Sequence, residues 1–203
     1  MKILIINTSE RIGGAAIAAN RLAKALRRSG QDVTMLVRDK QTTDKNVSAI
    51  GPTWLTKFQF LWERFIIWIS NRFDKKRLFQ VSFANTGTDV TKLKEFREAD
   101  IIHLHWVNQG MLSLNDIERI VRSGKPVVWT MHDMWPFTGI CHYAYDCDEY
   151  ERQCEHCKQA ETILTNYAFK TKQQFFHYFT PPSFSYFSAR EENSFSSLAI
   201  ISL

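Results

Sequence analysis

The sequence predicts a doubly wound, mostly parallel α/β sheet, and three observations carry that expectation. Residues 2–7 (Lys-Ile-Leu-Ile-Ile-Asn) form a continuous apolar, β-branched run, as a central strand buried on both faces requires. A glycine-opened helix and a second strand follow at once. The same strand and helix alternation returns beyond residue 100, and such alternation folds by right-handed crossovers onto one parallel sheet.

Element by element, Gly13-Gly14 opens a helix in which Ile17, Ala18, Leu22, Ala25 and Leu26 fall on one face. Gly30 ends it, with Arg27 and Arg28 suitably placed in the last turn. Residues 32–37 read as the second strand, 101–107 as another, 113–122 as a helix capped by Ser113, and 125–131 as a strand ending at His132-Asp133. Between these halves, residues 54–73 carry apolar side chains at 54, 58, 61, 65, 68 and 69. That spacing is helical. Its aromatic face is expected to pack on the sheet, with Lys57, Arg64 and Arg72 elsewhere on the cylinder; a second reading rests part of that face on a bilayer as a peripheral membrane contact. Glu63 and Arg64 interrupt the run, so it does not span a membrane.

A chain of 203 residues suits one α/β domain plus an extension. The domain is expected over residues 1–174. The Phe- and Ser-rich stretch 175–203, with Pro181-Pro182 and one short apolar run at 198–201, is expected to be an irregular tail with one strand at most. The amino-terminal apolar run ends at Ile6, too short for a signal peptide, which points to a cytoplasmic chain. A net charge of +5 suits a protein that meets phosphate. Nucleic acid is not the expected partner, because the basic residues are scattered and Asp146, Asp148, Glu149, Glu151 and Glu155 would repel a phosphate backbone.

Three constellations carry chemistry. The loop Asn7-Thr-Ser-Glu-Arg-Ile-Gly-Gly lets backbone N–H groups of Gly13 and Gly14 approach an anion at a helix amino terminus. It lacks the spacings of dinucleotide folds and P-loops, which removes support for hydride transfer and ATP hydrolysis; a tight strand-to-helix turn explains the glycines equally well. The second constellation lies at strand ends, where open α/β sheets bind ligands. His103 and His105 share a strand face, Trp106, Asn108 and Gly110 follow, and the next strand delivers His132 and Asp133. These groups suit hydrogen bonding to sugar hydroxyls or general-base work. His103 is expected to be a satisfied core histidine, while His105, Trp106 and Asn108 are assigned to substrate and His132 with Asp133 to catalysis. The third constellation is Cys141, Cys147, Cys154 and Cys157, all four cysteines within one loop. Its last pair has zinc-knuckle spacing, so a closed structural zinc site is expected, with free or disulfide-paired thiols as the alternative and a catalytic cysteine beside His142 or His156 as a lesser one. A zinc-containing binding module without catalysis is the competing overall reading.

Four blocks together carry a resemblance: residues 13–22 (Gly-Gly-Ala-Ala-Ile-Ala-Ala-Asn-Arg-Leu), 79–87, 99–114 (with Ile-Ile-His-Leu-His-Trp-Val-Asn-Gln-Gly) and 124–143 (with Trp-Thr-Met-His-Asp-Met-Trp-Pro-Phe-Thr-Gly). They resemble the amino-terminal, acceptor-side domain of bacterial family 4 glycosyltransferases, in order from Met1 to about residue 159. The resemblance implies one Rossmann-like half of a two-domain GT-B enzyme of polysaccharide or lipopolysaccharide assembly. Such a retaining transferase moves a sugar from a nucleotide sugar, its co-substrate, to a glycan or lipid-linked acceptor without a catalytic metal. It further implies that Gly13 and Gly14 face the donor phosphates and that His132 contacts the transferred sugar. The family's second domain, which holds the donor, is not expected within this chain; a truncated or frame-shifted reading frame, or a separately encoded donor-domain chain, would account for that. The fragment alone is then expected to be inactive.

Overall fold

The computed structural model describes residues 1–75, 78–151, 154 and 172, and the backbone of 198–202. Strand β1 (Lys2–Ser9) lies at the middle of the sheet, flanked by β2 (Asp32–Asp39) and β4 (Ile101–Leu104). β3 (Val47–Ala49) lies outside β2, and β5 (Val127–Met131) lies outside β4. All five pair in parallel, with Ile5 opposite both Met35 and His103. Strand β6 (Leu198–Ser202) adds an antiparallel edge beside β5, at the apolar run where the sequence allowed one strand.

β1 is apolar on both sides because each side feeds a different core. Ile3 and Ile5 join Val33, Met35, Val37 and the small face of helix α1 (Gly14–Arg28). Leu4 and Ile6 point the other way, into a larger core with Leu36, Ile102, Leu104 and Ile117. Helices on both faces make the sheet doubly wound, as the sequence predicts.

Helix α1 is rotated from its expected face. Ala16, Ala19 and Ala23 are buried, Leu22 and Leu26 pack at their margin, and Ile17, Ala18 and Ala25 are exposed. Alanines at these positions let the helix backbone approach the sheet closely, a packing demand that outweighs the larger side chain of Ile17. Gly30 follows the helix at φ +84°, the left-handed conformation that ends many helices. Helix α4 (Leu114–Val121) begins with Ser113 and Asp116 in a reciprocal capping box, as the expected Ser113 cap requires.

Helix α2 (Thr53–Ser70) reverses the expected packing. Its buried face consists of Thr56, Gln59, Glu63, Arg64 and Ile67, while Trp54, Phe58, Leu61, Trp62, Phe65 and Ile69 are exposed. The physical reason is backbone accounting. Residues 78–88 run beside α2 without a strand of their own, and their polar groups need partners. Gln59 Nε2 donates to the Gly87 carbonyl at 2.7 Å, Glu63 Oε1 accepts from the Ala84 N–H at 3.0 Å, and Arg64 donates to the Leu78 carbonyl. Glu63 and Arg64 also pair at 3.2 Å in the interior. Further short elements, β3 and helix α3 (Lys94–Glu98), had no clear sequence signal.

This inversion makes opposite predictions for neighbouring positions. Glu63→Ala strands a buried guanidinium and is expected to cost about 3–5 kcal/mol of stability. Phe65→Ser, on the outward face, should change stability by no more than about 0.5 kcal/mol. Urea unfolding of the two variants checks both, and a larger loss for Phe65→Ser would refute the assigned orientation.

Candidate functional site

The carboxyl ends of β1, β4 and β5 form one rim because the parallel register brings them level. Asn7 at the end of β1 binds across the gap: its Oδ1 accepts from the Trp106 N–H at 3.0 Å, and its Nδ2 donates to the Ser9 carbonyl at 2.6 Å. Thr8 adds two contacts to the same loop, its Oγ1 donating to the carbonyls of Trp106 and Asn108. The rim is thereby held to β1 by side chains as well as by the sheet.

Asp133 collects three donors. Its Oδ2 accepts from Trp106 Nε1 at 2.7 Å and from His142 Nδ1 at 2.6 Å, and its Oδ1 accepts from the Trp135 N–H at 2.9 Å. Burial pushes the carboxyl's pKa upward, but the hydrogen bonds from His142, Trp106 and Trp135 outweigh burial and hold it below the ordinary value. A carboxylate so committed is a fixed anion, and a poor proton acceptor. His142 in turn lies 3.1 Å from Ser82 Oγ through Nε2, and Arg64 of α2 reaches the same hydroxyl at 3.4 Å.

His103, His105 and His132 stand in a column, with ring centroids 4.5 and 5.1 Å apart. Burial lowers all three pKa values. His103 falls to about 4 and His105 to about 3, with neighbouring imidazoles adding to the effect; for His132 burial wins over the opposing charge of Asp133. The column is therefore neutral at pH 7. His105 Nδ1 lies 2.9 Å from His132 Nε2, while His105 Nε2 is buried without a partner. An orphaned acceptor costs less than an orphaned N–H donor, which assigns the proton to His105 Nδ1 as donor. With Nε2 of His132 accepting, Nδ1 is the ring nitrogen left for a ligand.

Above the rim opens a groove of about 540 Å³. Gly13, Gly14, Trp106, His132 and Asp133 all line it, together with His142, Arg38, Phe79, Gln109 and Tyr143. Gly13 holds φ +90° and ψ 161°, a conformation open to glycine, although a Cβ there would meet nothing within 4 Å. Its requirement is conformational rather than spatial. It turns the chain into α1, whose first residues line the groove and whose leading N–H groups meet no acidic residue or capping side chain.

His105 and Asn108 stand differently from the rest. Both are buried beneath the rim; His105 backs His132, and Asn108 presents its backbone carbonyl to Thr8. His103 is half-buried and bonds Thr130 Oγ1 at 2.8 Å. Ser82 and Asn7 went unassigned in the sequence, although Asn7 at a strand end carried a signal of position, and His142, considered there beside a cysteine, is committed to Asp133 and Ser82.

Among the cysteines, Cys141 and Cys154 are buried and Cys147 is half-buried; Cys154 Sγ accepts from the Gly139 N–H at 3.3 Å. Cys157 lies outside the described residues. Among the described residues, no group of three or more His, Cys, Asp or Glu side chains is disposed to hold a metal ion. The interior beside these thiols holds Lys172, whose Nζ donates to the Trp135 carbonyl at 2.8 Å. Burial lowers its pKa to about 7 against the opposing influence of Cys141, Cys154 and Asp133.

The histidine column sets a pH dependence. Folded His103 and His105 stay neutral down to about 4 and about 3, whereas the unfolded chain takes up those protons near 6.5. Protons thus favour the unfolded chain below that value, and stability present above it is lost as pH falls, by about 1 kcal/mol per pH unit for each histidine. Urea midpoints between about pH 7 and pH 5 should fall, and His105→Gln should flatten the slope. An unchanged midpoint over that interval would contradict the assignment.

Comparison with known proteins identifies the family. The model of Glycosyltransferase Family 4 matches residues 12–190. A protein of Escherichia coli (strain K12), "Putative colanic acid biosynthesis glycosyl transferase WcaC", is 32% identical over 73 residues. That match covers 33% of this chain and spans 17% of the E. coli protein's length. With a groove at the strand ends and a family match over most of its length, the chain belongs to glycosyltransferase family 4.

Proposed function

We propose that this chain is the acceptor-side domain of a retaining transferase that moves a sugar from a nucleotide sugar to a glycan or lipid-linked acceptor in cell-surface polysaccharide assembly. The observation that carries the reading is the shared groove: His132 and the glycine-opened end of α1 line one cavity. In this reading the uncommitted N–H groups after Gly13 and the positive end of the helix take the donor diphosphate. His132 Nδ1 donates to a hydroxyl of the transferred sugar, with the proton placed by His105 behind it. Asp133 keeps its charge beside the groove, where it stabilises the positive character that develops at the sugar as the bond to the diphosphate breaks. The acceptor oxygen then takes the sugar with its configuration retained, while the diphosphate leaves with the bonding electron pair and its departing oxygen accepts the acceptor's hydroxyl proton. No catalytic metal is called for, since the helix end offsets the leaving charge. The donor-binding groups come from a second domain, in the same protein or on a separate chain. Homology to a colanic acid biosynthesis transferase favours a polysaccharide product.

The test is a chimera of this chain with the second domain of a family relative, assayed against a panel of nucleotide sugars. Transfer is expected from at least one of them. His132→Ala should lower kcat by about 10²-fold or more. Gly13→Ala, which strains the turn that aims the N–H groups, should raise KM for the donor. Full transfer by the His132→Ala chimera would sink the assignment.

A further inference from the structure

We propose that the outward face of α2 is an in-plane anchor for an anionic lipid bilayer, a role that stands apart from the transferase reading. Trp54 is 71% and Leu61 62% exposed, and Phe58, Trp62, Phe65 and Ile69 continue the same face along the helix. The rings form a ladder: Phe58 to Trp62, Trp62 to Phe65 and Phe65 to Trp68 lie 6.1–6.2 Å apart between centroids, and Trp68 meets Phe73 at 4.8 Å. A surface this apolar is rarely left in water without a partner. The protein's own core does not claim it, because α2 turns its polar residues inward.

Charge identifies the occupant. The single acid of α2, Glu63, is buried and paired with Arg64, so the exposed charge on the helix is Lys57. Just past the helix the sequence runs Arg72-Phe-Asp-Lys-Lys-Arg, four basic residues against one acid, with Arg72 and Lys75 exposed. An apolar aromatic strip bounded by cations fits acyl chains beneath acidic headgroups. The 18 residues of α2 measure about 27 Å, and no helix among the described residues is long and apolar enough to cross a membrane. The helix therefore lies along the surface, where Trp and Phe settle at the headgroup boundary.

The position of this face matters for the groove. Phe60 of α2 stacks under Arg38 at 5.2 Å, and Arg64 lies 5.4 Å from the Phe79 ring. Arg38 and Phe79 both line the groove. These contacts come from the inward side of α2, so the helix stands between the groove wall and a bilayer seated on its outward face.

The test uses the whole chain with phosphatidylcholine vesicles, with and without about one third phosphatidylglycerol. Cosedimentation with the anionic vesicles is expected, together with quenching of tryptophan fluorescence by lipids brominated in the acyl chain. Phe58→Glu combined with Phe65→Glu should weaken partitioning by roughly tenfold or more, and Arg72→Glu with Lys75→Glu by about fivefold or more, on anionic vesicles alone. Circular dichroism matching the parent confirms that these outward positions leave the fold intact. Failure of the parent chain to bind either vesicle overturns the proposal, as does binding that the Phe58→Glu, Phe65→Glu chain retains in full. A dimer in solution that the same substitutions convert to monomer, without lipid binding, assigns the face to a second copy instead.

Discussion

The carboxylate of Asp133 is the point from which the rim is organised. It sits just past β5, and its donors come from the segment after β4 and from the loop that runs from Trp135 to His142. A buried anion demands such company, since each missing donor would leave charge exposed to a low-dielectric interior. The demand propagates. His142 is committed to Asp133 on one edge and to Ser82 on the other, Ser82 meets Arg64, and Arg64 pairs with Glu63. One line of polar contacts thus runs from the groove to the inner face of α2. Groove shape and helix orientation are two consequences of the same set of bonds.

The imidazole column beneath the rim is the counterpart of that anion. Burial keeps His103, His105 and His132 neutral, so the charge of Asp133 stands beside the groove with no cation directly beneath it. Positive potential enters instead from the amino end of α1 across the cavity. Arg38, which also lines the groove, is paired with Asp39 at 2.6 Å, so the backbone direction of α1 supplies the positive potential that no neighbouring carboxylate offsets.

Much of this was legible in the residues. The unbroken apolar run of β1 announced a strand with cores on both sides, and His132-Asp133 at the end of β5 announced a polar rim. Gly13 was legible as a turn, though not its φ of +90°. The orientation of α2 was not legible, because hydrophobic periodicity identifies a face without saying which way it points. The needs that turned Gln59, Glu63 and Arg64 inward belong to the backbone of residues 78–88, which has no periodic signature. The contact between Ser82 and His142 was missed for a related reason: sixty residues separate them, and their meaning arises where they touch. His105 and Asn108 looked like ligand contacts by strand position, but a strand end has depth, and the interior side of it is filled by groups that support the outer layer.

The satisfied state of the rim has a consequence for affinity. Asn7, Trp106, Asp133 and His142 already hold one another, so a ligand entering the groove finds a surface whose rotamers are set before it arrives. Little ordering entropy remains to be lost on binding. The same saturation leaves few vacant hydrogen-bonding groups toward the groove, chiefly His132 Nδ1 and the leading amides of α1, while His105 Nε2 and Asn108 Oδ1 lie unpartnered beneath it. Selectivity in such a cavity is decided by fit against preset walls, and a compound that needs those walls to rearrange would have to break a bond inside the scaffold to enter.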